Sequence, residues 1–268
     1  MEETALTVSR YKTVIKANEL IQKSRFNLSL QQQKIVLYLI SQISAFDEEF
    51  KVYEFSIPEF CRVCGIDDKN GQNYIDLKQA IKDIADKSLW VKIDEDEETL
   101  LRWIQKPYIN KHSGTIKIKL DEDMKPYLLQ LKGNFTRYEL LWTLNFRSKY
   151  TIRLYELIKS IHYHELETYT RDFSLDDLRR LMGAEKYTTY QAFKSRALIP
   201  AITEINNFSD KVLEYQPIKK GKAVVKIRFT IGTKETRDIL KLQSDIEKEF
   251  GLDQMTLWDT LEERGIVI

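Results

Sequence analysis

The sequence predicts an α+β fold, mainly α with small β-hairpins, built from two tandem copies of one small domain. The stretch "EFSIPEFCRVCGI" (residues 54–66) matches "DFSLDDLRRLMGA" (residues 172–184) at a constant offset of 118 residues. Each copy is followed by a polar turn, by a second helix with apolar residues at helical spacing, and by alternating, β-prone sequence. Short helix, turn, second helix and hairpin is the order of a winged helix. We therefore predict two tandem winged-helix domains related by an internal repeat.

Length and composition are those of a soluble globular protein. The chain has 268 residues, of which 43% are hydrophobic and 31% charged, enough for one large domain or two small ones. No apolar run approaches the ~20 residues that span a bilayer, and "MEETALTVSRYK" has no signal-peptide core. Two cysteines and few glycines argue against a secreted disulfide scaffold and predict a cytoplasmic protein with no membrane partner.

The first domain is predicted to cover residues 1–135. Its first helix lies in "SLQQQKIVLYLISQI", where Val36 and Leu39 share one face. Ser56, with an acid three residues later, resembles a capping box that opens the short helix, and Gly65 stands where that helix ends. The second helix lies in "NYIDLKQAIKDIADKSLW", and strands are predicted in "LWVKI" and "GTIKIKL", separated by a long excursion.

The second domain is predicted to cover residues 136–230. Its first helix follows a connection within the Gly- and Pro-free stretch "FTRYELLWTLNFRSKYTIRLYELIKSIHYH". Ser174, with Asp177 three residues later, repeats the capping box, and Gly183 repeats the helix end. Two strands joined at "KKGK" complete the copy. Residues 231–268 are predicted to form an acidic helical tail with no role beyond packing or partner binding.

Charge is spread unevenly along the chain. Residues 147–230 carry 16 Lys and Arg against 10 Asp and Glu, a net charge of +6. Residues 1–146 and 231–268 carry net charges of −1 and −4. A basic segment within a nearly neutral protein is typical of a surface that binds a polyanion.

The first domain carries carboxylates where a DNA-binding domain would carry cations. Its wing region contains "DEDEE" (residues 94–98), and the outer face of its second helix is polar and acidic. The residues on that face are Asp76, Gln79, Asp83 and Asp86. Because carboxylates repel phosphates, this domain is predicted to serve self-association or a protein partner, with at most an auxiliary DNA contact.

The second helix of the second domain, which we call the reading helix, contains "FKSRALIPAITEIN". This stretch is basic before its proline and apolar after it. Phe193, Ala197, Ala201 and Ile205 form the predicted buried stripe. Pro200 lacks a backbone donor and crowds the preceding turn, so we predict one kinked helix. Its basic half would enter a DNA groove, and its apolar half would stay on the core.

Residues predicted to contact DNA belong to three elements. Small residues on the outer face of the reading helix allow close approach to base edges, and Arg is the commonest reader of guanine in the major groove. Cations at the wing tip and at the start of the preceding helix suit phosphates. The predicted DNA-binding residues are Arg147, Lys149, Gln191, Lys194, Ser195, Arg196, Lys219, Lys220 and Lys222.

Three motifs, "VIKANELIQKSRFNLSLQQQKIVLYLISQI", "RSKYTIRLYELIKS" and "ALIPAITEIN", resemble in this order the iteron-binding replication initiators, the Rep proteins, of theta-replicating bacterial plasmids. The resemblance covers residues 14–230. It implies two winged-helix domains and monomeric binding to double-stranded origin repeats, the iterons, mainly through the second domain. It also implies autorepression of the initiator's own gene by a homodimer, and recruitment of the host replication initiator and the replicative helicase.

Two alternatives stay open at the level of sequence. The stretch "HYH" offers His162 and His164 as metal ligands of a rolling-circle nickase with a tyrosine nucleophile. Such histidines must point the same way, as residues i and i+2 do on a strand, but here they end a helical run, where i and i+2 diverge. The other alternative is a plain transcriptional repressor, since fold alone does not separate a repressor from an initiator.

The remaining motifs predict no catalysis. "CRVC" (Cys61 to Cys64) lacks further zinc ligands at suitable spacing and a thioredoxin-like context. We interpret both thiols as structural, with Cys64 in the core and Cys61 more exposed. The sequence has no phosphate-binding G-x-x-x-x-G-K-[ST] pattern. We therefore predict a non-enzymatic DNA-binding protein that needs no cofactor or metal.

Overall fold

The computed structural model describes residues 11–44, 46–64, 72–162 and 168–249. These ranges contain both helices and strands, and their buried apolar side chains form a continuous hydrophobic core. None of the helices described is both long and apolar enough to cross a membrane. Three predicted features lie outside the described residues, namely Gly65, His164 and the end of the acidic tail after Glu249.

The N-terminal half of the described chain opens with three short elements that the sequence analysis did not predict, and the three predicted helices and the strands follow them. The elements in chain order are β1 (Thr13–Ala17), α1 (Asn18–Lys23), β2 (Ser24–Arg25), α2 (Leu30–Ile40), β3 (Tyr53–Ser56), α3 (Ile57–Cys64), α4 (Gln72–Asp86), β4 (Ser88–Lys92), β5 (Glu98–Arg102), β6 (Tyr108–Asn110), β7 (Thr115–Ile118), a 3-10 turn (Glu122–Met124) and α5 (Lys125–Leu128). Helix α2 begins with a capping box, in which the Ser29 hydroxyl accepts from the Gln32 N–H at 3.2 Å and the Gln32 side chain accepts from the Ser29 N–H at 2.9 Å.

The C-terminal half contains one more strand of the N-terminal part, the second copy and a final helix. Its elements are β8 (Phe135–Glu139), α6 (Leu140–Asn145), α7 (Lys149–Ile161), β9 (Thr168–Ser174), α8 (Leu175–Met182), α9 (Tyr190–Phe193), a π turn (Lys194–Leu198), α10 (Ile199–Phe208), β10 (Lys211–Lys220), β11 (Ala223–Thr233) and α11 (Thr236–Glu249). In the described part of the predicted tail, residues 231–233 complete β11 and only α11 is helical. Helix α11 packs back on the protein through buried Ile246 and a 3.0 Å bond from the Gln243 amide to Glu139.

The internal repeat is confirmed by the boundaries of the elements. Helices α3 and α8 begin and end at residues related by the predicted offset, 57–64 and 175–182. Ser174 caps α8, because its hydroxyl accepts from the Asp177 N–H at 3.0 Å. Gly183 ends the helix at φ 65°, a left-handed conformation that glycine adopts without a Cβ penalty.

Both copies contain a three-stranded antiparallel sheet of the same order, β3-β7-β6 in the first and β9-β11-β10 in the second. The predicted pairing inside the first copy is wrong. "LWVKI" pairs with Glu98–Arg102 rather than with "GTIKIKL", which instead pairs with Tyr53–Ser56. The excursion itself contains alternating sequence, so it forms its own hairpin, β4–β5, whose turn is the acidic "DEDEE" stretch. That hairpin joins β2 in a separate sheet.

Buried polar contacts join the N-terminal strand to the second copy. Strand β1 pairs with β8 on the far side of the predicted boundary at residue 135, a boundary that stays a prediction. Lys16 on β1 forms an ion pair of 2.5 Å with Glu156 on α7, and both side chains are buried. Arg153, one turn earlier on α7, donates to the Ser24 and Leu181 carbonyls at 3.2 and 2.9 Å.

One prediction about the core is wrong: Cys61 is buried, with 1% of its surface exposed. The reason is visible at the equivalent position of the second copy. Arg179 is largely covered, and its guanidinium lies 5.7 Å from the ring centroid of Phe193 on the reading helix. The position therefore faces the protein interior in the second copy too, although the residue there is charged. The side chain of Cys64 lies outside the described residues.

Candidate nucleic-acid interface

The reading helix comprises residues 190–208 and begins at Thr189, whose hydroxyl accepts from the Ala192 N–H at 3.2 Å. The predicted buried stripe is confirmed. Phe193, Ala197, Ala201 and Ile205 are each fully buried. Since these side chains hold one face of the helix on the core, the opposite face is available to a ligand.

Pro200 lies within one continuous helical run, as predicted, and a π turn before it makes this possible. The residues before it, Lys194–Leu198, form a π turn in which the Ile199 N–H donates to the Lys194 carbonyl, five residues earlier. A π turn widens the backbone and so relieves the crowding that proline causes in a regular helix. It also changes the direction of the side chains around it, which include those of Ser195 and Arg196.

The outer face of the reading helix carries four of the predicted DNA-binding residues. Gln191, Ser195 and Arg196 are exposed, and Lys194 is half-buried. Thr203 and the partly covered Ala192 complete a face of small and polar residues. Such a face leaves room for base edges, and it brings a guanidinium that can donate two hydrogen bonds to guanine.

The wing is a long hairpin of β10 and β11 that extends beyond the core. Its two-residue turn begins at Gly221, whose φ of 63° again favours glycine. The three predicted phosphate-binding lysines, Lys219, Lys220 and Lys222, flank this turn and are exposed. A register shift between Ile218 and Lys219 marks a bulge just before the tip, and bulges increase the local twist of a strand.

The start of α7 holds the other two predicted residues. Arg147 is exposed two residues before the first residue of α7, Lys149, and Ser148 between them is the N-cap. The Lys149 ammonium donates to the Asn27 side chain at 2.8 Å, which connects the two copies. Partial burial lowers the pKa of Lys149, and the positive charges of Lys186 and Lys87 lower it further. Three ammonium groups therefore lie near one another here.

Lys87 and Lys186 were missed by the sequence analysis. Together with Lys149 and Arg196 they form what we call the cationic row. Arg196 lies within electrostatic reach of Tyr187, and the Lys186 ammonium lies 5.1 Å from the centroid of the same ring. The row thus runs from the reading helix over the start of α7 to the end of α4. Lys87 follows an acidic helix, so no local sequence signal could have found it.

None of the four cations in the row forms an ion pair with another residue that the structure describes. Two cations elsewhere on the first copy are paired, by contrast: Lys82 lies 2.6 Å from Asp86, and Lys117 lies 3.2 Å from Glu54. Gathering unpaired like charges raises the free energy of the folded protein, and a bound polyanion would lower it.

Comparison with known protein families identifies the family of the chain that carries this surface. Residues 13–159 match the family model described as "Initiator Replication protein, WH1", and residues 174–231 match "Initiator Rep protein, WH2". The two matches cover well over half of the chain. The chain belongs to the replication initiator family. The two winged-helix domains predicted from the repeat are therefore confirmed.

Individual relatives of this initiator agree with that assignment. A "Replication initiation protein" of Escherichia coli is 23% identical over 235 residues, which cover 85% of this chain and 72% of the relative. The "PI protein" of Escherichia coli is 27% identical over 178 residues, 60% of this chain and just over half, 53%, of that protein. A solved structure described as "Crystal structure of Pi initiator protein in complex with iteron DNA" superposes with a TM-score of 0.68 at 20% identity, covering 84% of this chain and 99% of that chain. The superposition supports the tandem winged-helix fold.

The outer face of α4 in this initiator is acidic, as predicted, and its carboxylates have protein partners. Asp83 accepts from Gln79 at 2.6 Å and from Gln32 at 3.0 Å. Asp86 pairs with Lys82. The equivalent of the reading helix in the first domain therefore presents no unpaired cation along this face, within the residues described, until Lys87 at its end.

The proposed ligand pair of a nickase is not assembled in the described residues. His162 follows the last turn of α7 and is buried, and its Nδ1 lies 2.8 Å from the Lys211 ammonium. Lys211 also donates to the Thr233 hydroxyl at 2.7 Å. His164 lies outside the described residues, and within them no group of three or more His, Cys, Asp or Glu could hold a metal ion. His162 thus belongs to a polar contact at the base of the wing.

Proposed function

We propose that this initiator starts replication of a bacterial plasmid by binding double-stranded iterons at the plasmid origin through its second domain. One observation carries the proposal: the cationic row, which forms no ion pair among the described residues, starts at Arg196 on the exposed face of the reading helix, and the wing of the same domain carries three exposed lysines at its tip. Membership of the initiator family supports it, and so does the iteron complex formed by the structurally similar Pi protein.

Each element has a separate task in this proposal. The reading helix enters the major groove, where Arg196 donates to a base and Gln191 and Ser195 contact neighbouring bases or phosphates. The wing tip and Lys149 contact the DNA backbone on either side. With Arg147 and Lys194, these cations number six. Six phosphate contacts correspond to a slope of roughly −5 in a plot of log affinity against log salt concentration.

The first domain adds a backbone contact at its edge in this proposal. Its acidic face is unsuited to phosphate, but Lys87 lies within electrostatic reach of Lys149 and extends the cationic row across the junction. Its β4–β5 hairpin serves the homodimer. Trp90 and Leu100 are cross-strand partners on that hairpin and are 46% and 51% exposed. One end of the hairpin is acidic at residues 94–98, and the other carries Arg102, so two antiparallel copies would match opposite charges.

The remaining parts of the proposal follow from this mode of binding. The protein acts by occupying DNA and by recruiting the host replication initiator and the replicative helicase, and it performs no catalysis. A homodimer bound to an operator would repress the initiator's own gene. Plasmid DNA is in the cytoplasm, which is therefore where the protein works.

The test compares wild type, Arg196→Ala and Lys220→Ala on duplexes with and without the cognate iteron, across a salt series. Arg196→Ala should lose preference for the iteron by roughly tenfold or more, since one bidentate base contact contributes about 1–3 kcal/mol. Lys220→Ala should weaken binding to all duplexes and flatten the salt slope by about 1. If neither variant differs from wild type, the second domain is not the DNA-binding domain. A plain repressor would bind but fail to maintain a plasmid whose only initiator gene is this one.

A further inference from the structure

A carboxylate on the reading helix holds the start of α7. One Glu204 oxygen accepts from the backbone N–H of Arg147 at 3.0 Å and from that of Ser148 at 3.3 Å. Glu204 forms no ion pair with any residue that the structure describes, and its side chain is half-buried on α10. Two helices distant in sequence are therefore tied by one side chain.

The position of this bond is significant for DNA binding. Arg147 and Lys149 lie at the start of α7, whereas Arg196 lies two turns before Glu204 on the same helical run. The N–H groups before a helix and the positive end of its dipole favour a carboxylate, so the bond is stable in its place. Its effect is to set the distance between a phosphate-binding segment and the helix that would contact bases.

An acid at this place also has a cost. A carboxylate beside the predicted DNA path repels phosphate and weakens binding to every duplex. Among the described residues its oxygen accepts from two backbone N–H groups, and no ion pair of Glu204 with a lysine or arginine is found. Glu204 would therefore contribute to DNA binding through the two hydrogen bonds that position the start of α7, rather than through its charge.

We infer that Glu204 is a positioning residue for DNA recognition, which holds Arg147 and Lys149 in register with the reading helix. This inference rests on the proposed function. When the bond is present, the backbone contacts and the base contacts are made together on one iteron. When it is absent, the start of α7 moves independently, and the phosphate contacts no longer coincide with the correct base register.

The test uses variants that separate charge from geometry. Glu204→Gln removes the charge but keeps an oxygen that can accept from both N–H groups. Glu204→Asp keeps the charge but withdraws the oxygen by one methylene. Glu204→Ala removes both. Glu185→Ala is the matched control, because Glu185 is an exposed acid near Lys149 and forms no hydrogen bond with any residue that the structure describes.

Affinity for iteron and unrelated duplexes is measured over a salt series with the full-length chain, after circular dichroism has shown that each variant is folded. We expect Glu204→Gln and Glu185→Ala to bind both duplexes slightly more tightly, with the ratio of the two affinities unchanged. Glu204→Asp and Glu204→Ala should lower that ratio about tenfold and flatten the salt slope by about 1 to 2, although every cation is still present. A loss of fold would change the amount of active protein but not the slope.

The contrary results are equally specific. If Glu204→Asp keeps the wild-type ratio and slope, or Glu204→Gln loses them, the residue acts through its charge and the inference is overturned. If Glu204→Ala does not fold, the Gln and Asp variants still decide. A wild-type protein without iteron preference would overturn the proposed function together with this inference, whereas normal wild-type preference with unaffected variants overturns the inference alone.

Discussion

Arg228 and Asp172 face each other across strands β11 and β9, where the guanidinium donates to both carboxylate oxygens at 2.7 and 3.0 Å. The first domain has its counterpart at the equivalent place, since Lys117 on β7 pairs with Glu54 on β3, the residue that the repeat aligns with Asp172. In each pair the acidic residue directly precedes an aromatic residue on its strand, Phe173 after Asp172 and Phe55 after Glu54. The repeat therefore extends to the register of the three-stranded sheet that the two copies share.

The hydrogen bond to Arg228 lowers the pKa of Asp172, and the positive charge of Arg228 contributes to this. A lowered carboxyl pKa stabilises the fold above the ordinary pKa, and this stabilisation is lost as pH falls through the lowered value. We expect Arg228→Gln to return the Asp172 pKa towards its ordinary value in an NMR titration of the side-chain carboxyl. Lys117→Gln is the control, and it should leave Asp172 unchanged.

The cationic row predicts that the first domain contributes to DNA affinity without contributing to sequence preference. Lys87→Ala should weaken binding to iteron and unrelated duplexes alike and reduce the salt slope by about 1, because one phosphate contact is lost. Lys82→Ala on α4, the helix that Lys87 directly follows, is the matched control, since Lys82 is already paired with Asp86. Equal slopes for wild type and Lys87→Ala would exclude a phosphate contact at the domain junction.

The buried pair of Lys16 and Glu156 predicts a large effect on stability. Burial lowers the pKa of Lys16, and the charge and hydrogen bond of Glu156 oppose this. Glu156→Gln leaves the buried cations of Lys16 and Arg153 without their carboxylate, so the free energy of unfolding should fall by about 3–5 kcal/mol in urea denaturation. Glu19→Gln, which breaks the exposed pair with Lys23, should cost less than about 1 kcal/mol. Similar losses in the two variants would contradict the prediction.

The lowered pKa of Lys211 should make the stability of the protein depend on pH above neutrality. Burial lowers its pKa from 10.5 to about 8, with help from the charge of Lys159 and against that of Asp210. At a pH between the folded value of about 8 and the unfolded value of 10.5, Lys211 is protonated in the unfolded chain but mostly neutral in the folded protein. The free energy of unfolding therefore rises with pH over this range, by at most about 3 kcal/mol. This rise should be absent in Lys211→Met, as measured by urea unfolding at pH 7, 8.5 and 10. Parallel curves for the two proteins would show that Lys211 titrates normally.

The exposed face of the β4–β5 hairpin predicts where two copies associate. Trp90→Ser should shift the protein from dimer to monomer in sedimentation velocity, because a large apolar side chain at the centre of an interface contributes most of its energy. Ile75→Ser is the control, since Ile75 is also exposed, at 58%, but lies on α4. Unchanged sedimentation of the Trp90 variant would place any self-association elsewhere.

The sequence predicted the parts of the molecule that depend on local pattern. Helical spacing identified the buried stripe from Phe193 to Ile205, and the offset between the two copies identified both short helices. It did not predict that "LWVKI" would pair with the nearer strand, because strand pairing depends on which partner the rest of the fold brings alongside. It also predicted that Cys61 would be more exposed than Cys64, since the charge of Arg179 at the aligned position suggested exposure.

By itself the sequence determined the two-domain architecture, the reading helix and the lysines of the wing, because periodicity, capping residues and turns are properties of contiguous residues. Only the tertiary structure decided that Lys87 comes within electrostatic reach of Lys149, and that Glu204 accepts hydrogen bonds from the start of α7. These contacts join residues 62 and 56 or 57 positions apart. Residues so far apart in the sequence are brought together by the packing of the whole core. No local pattern in the chain is enough to predict that packing.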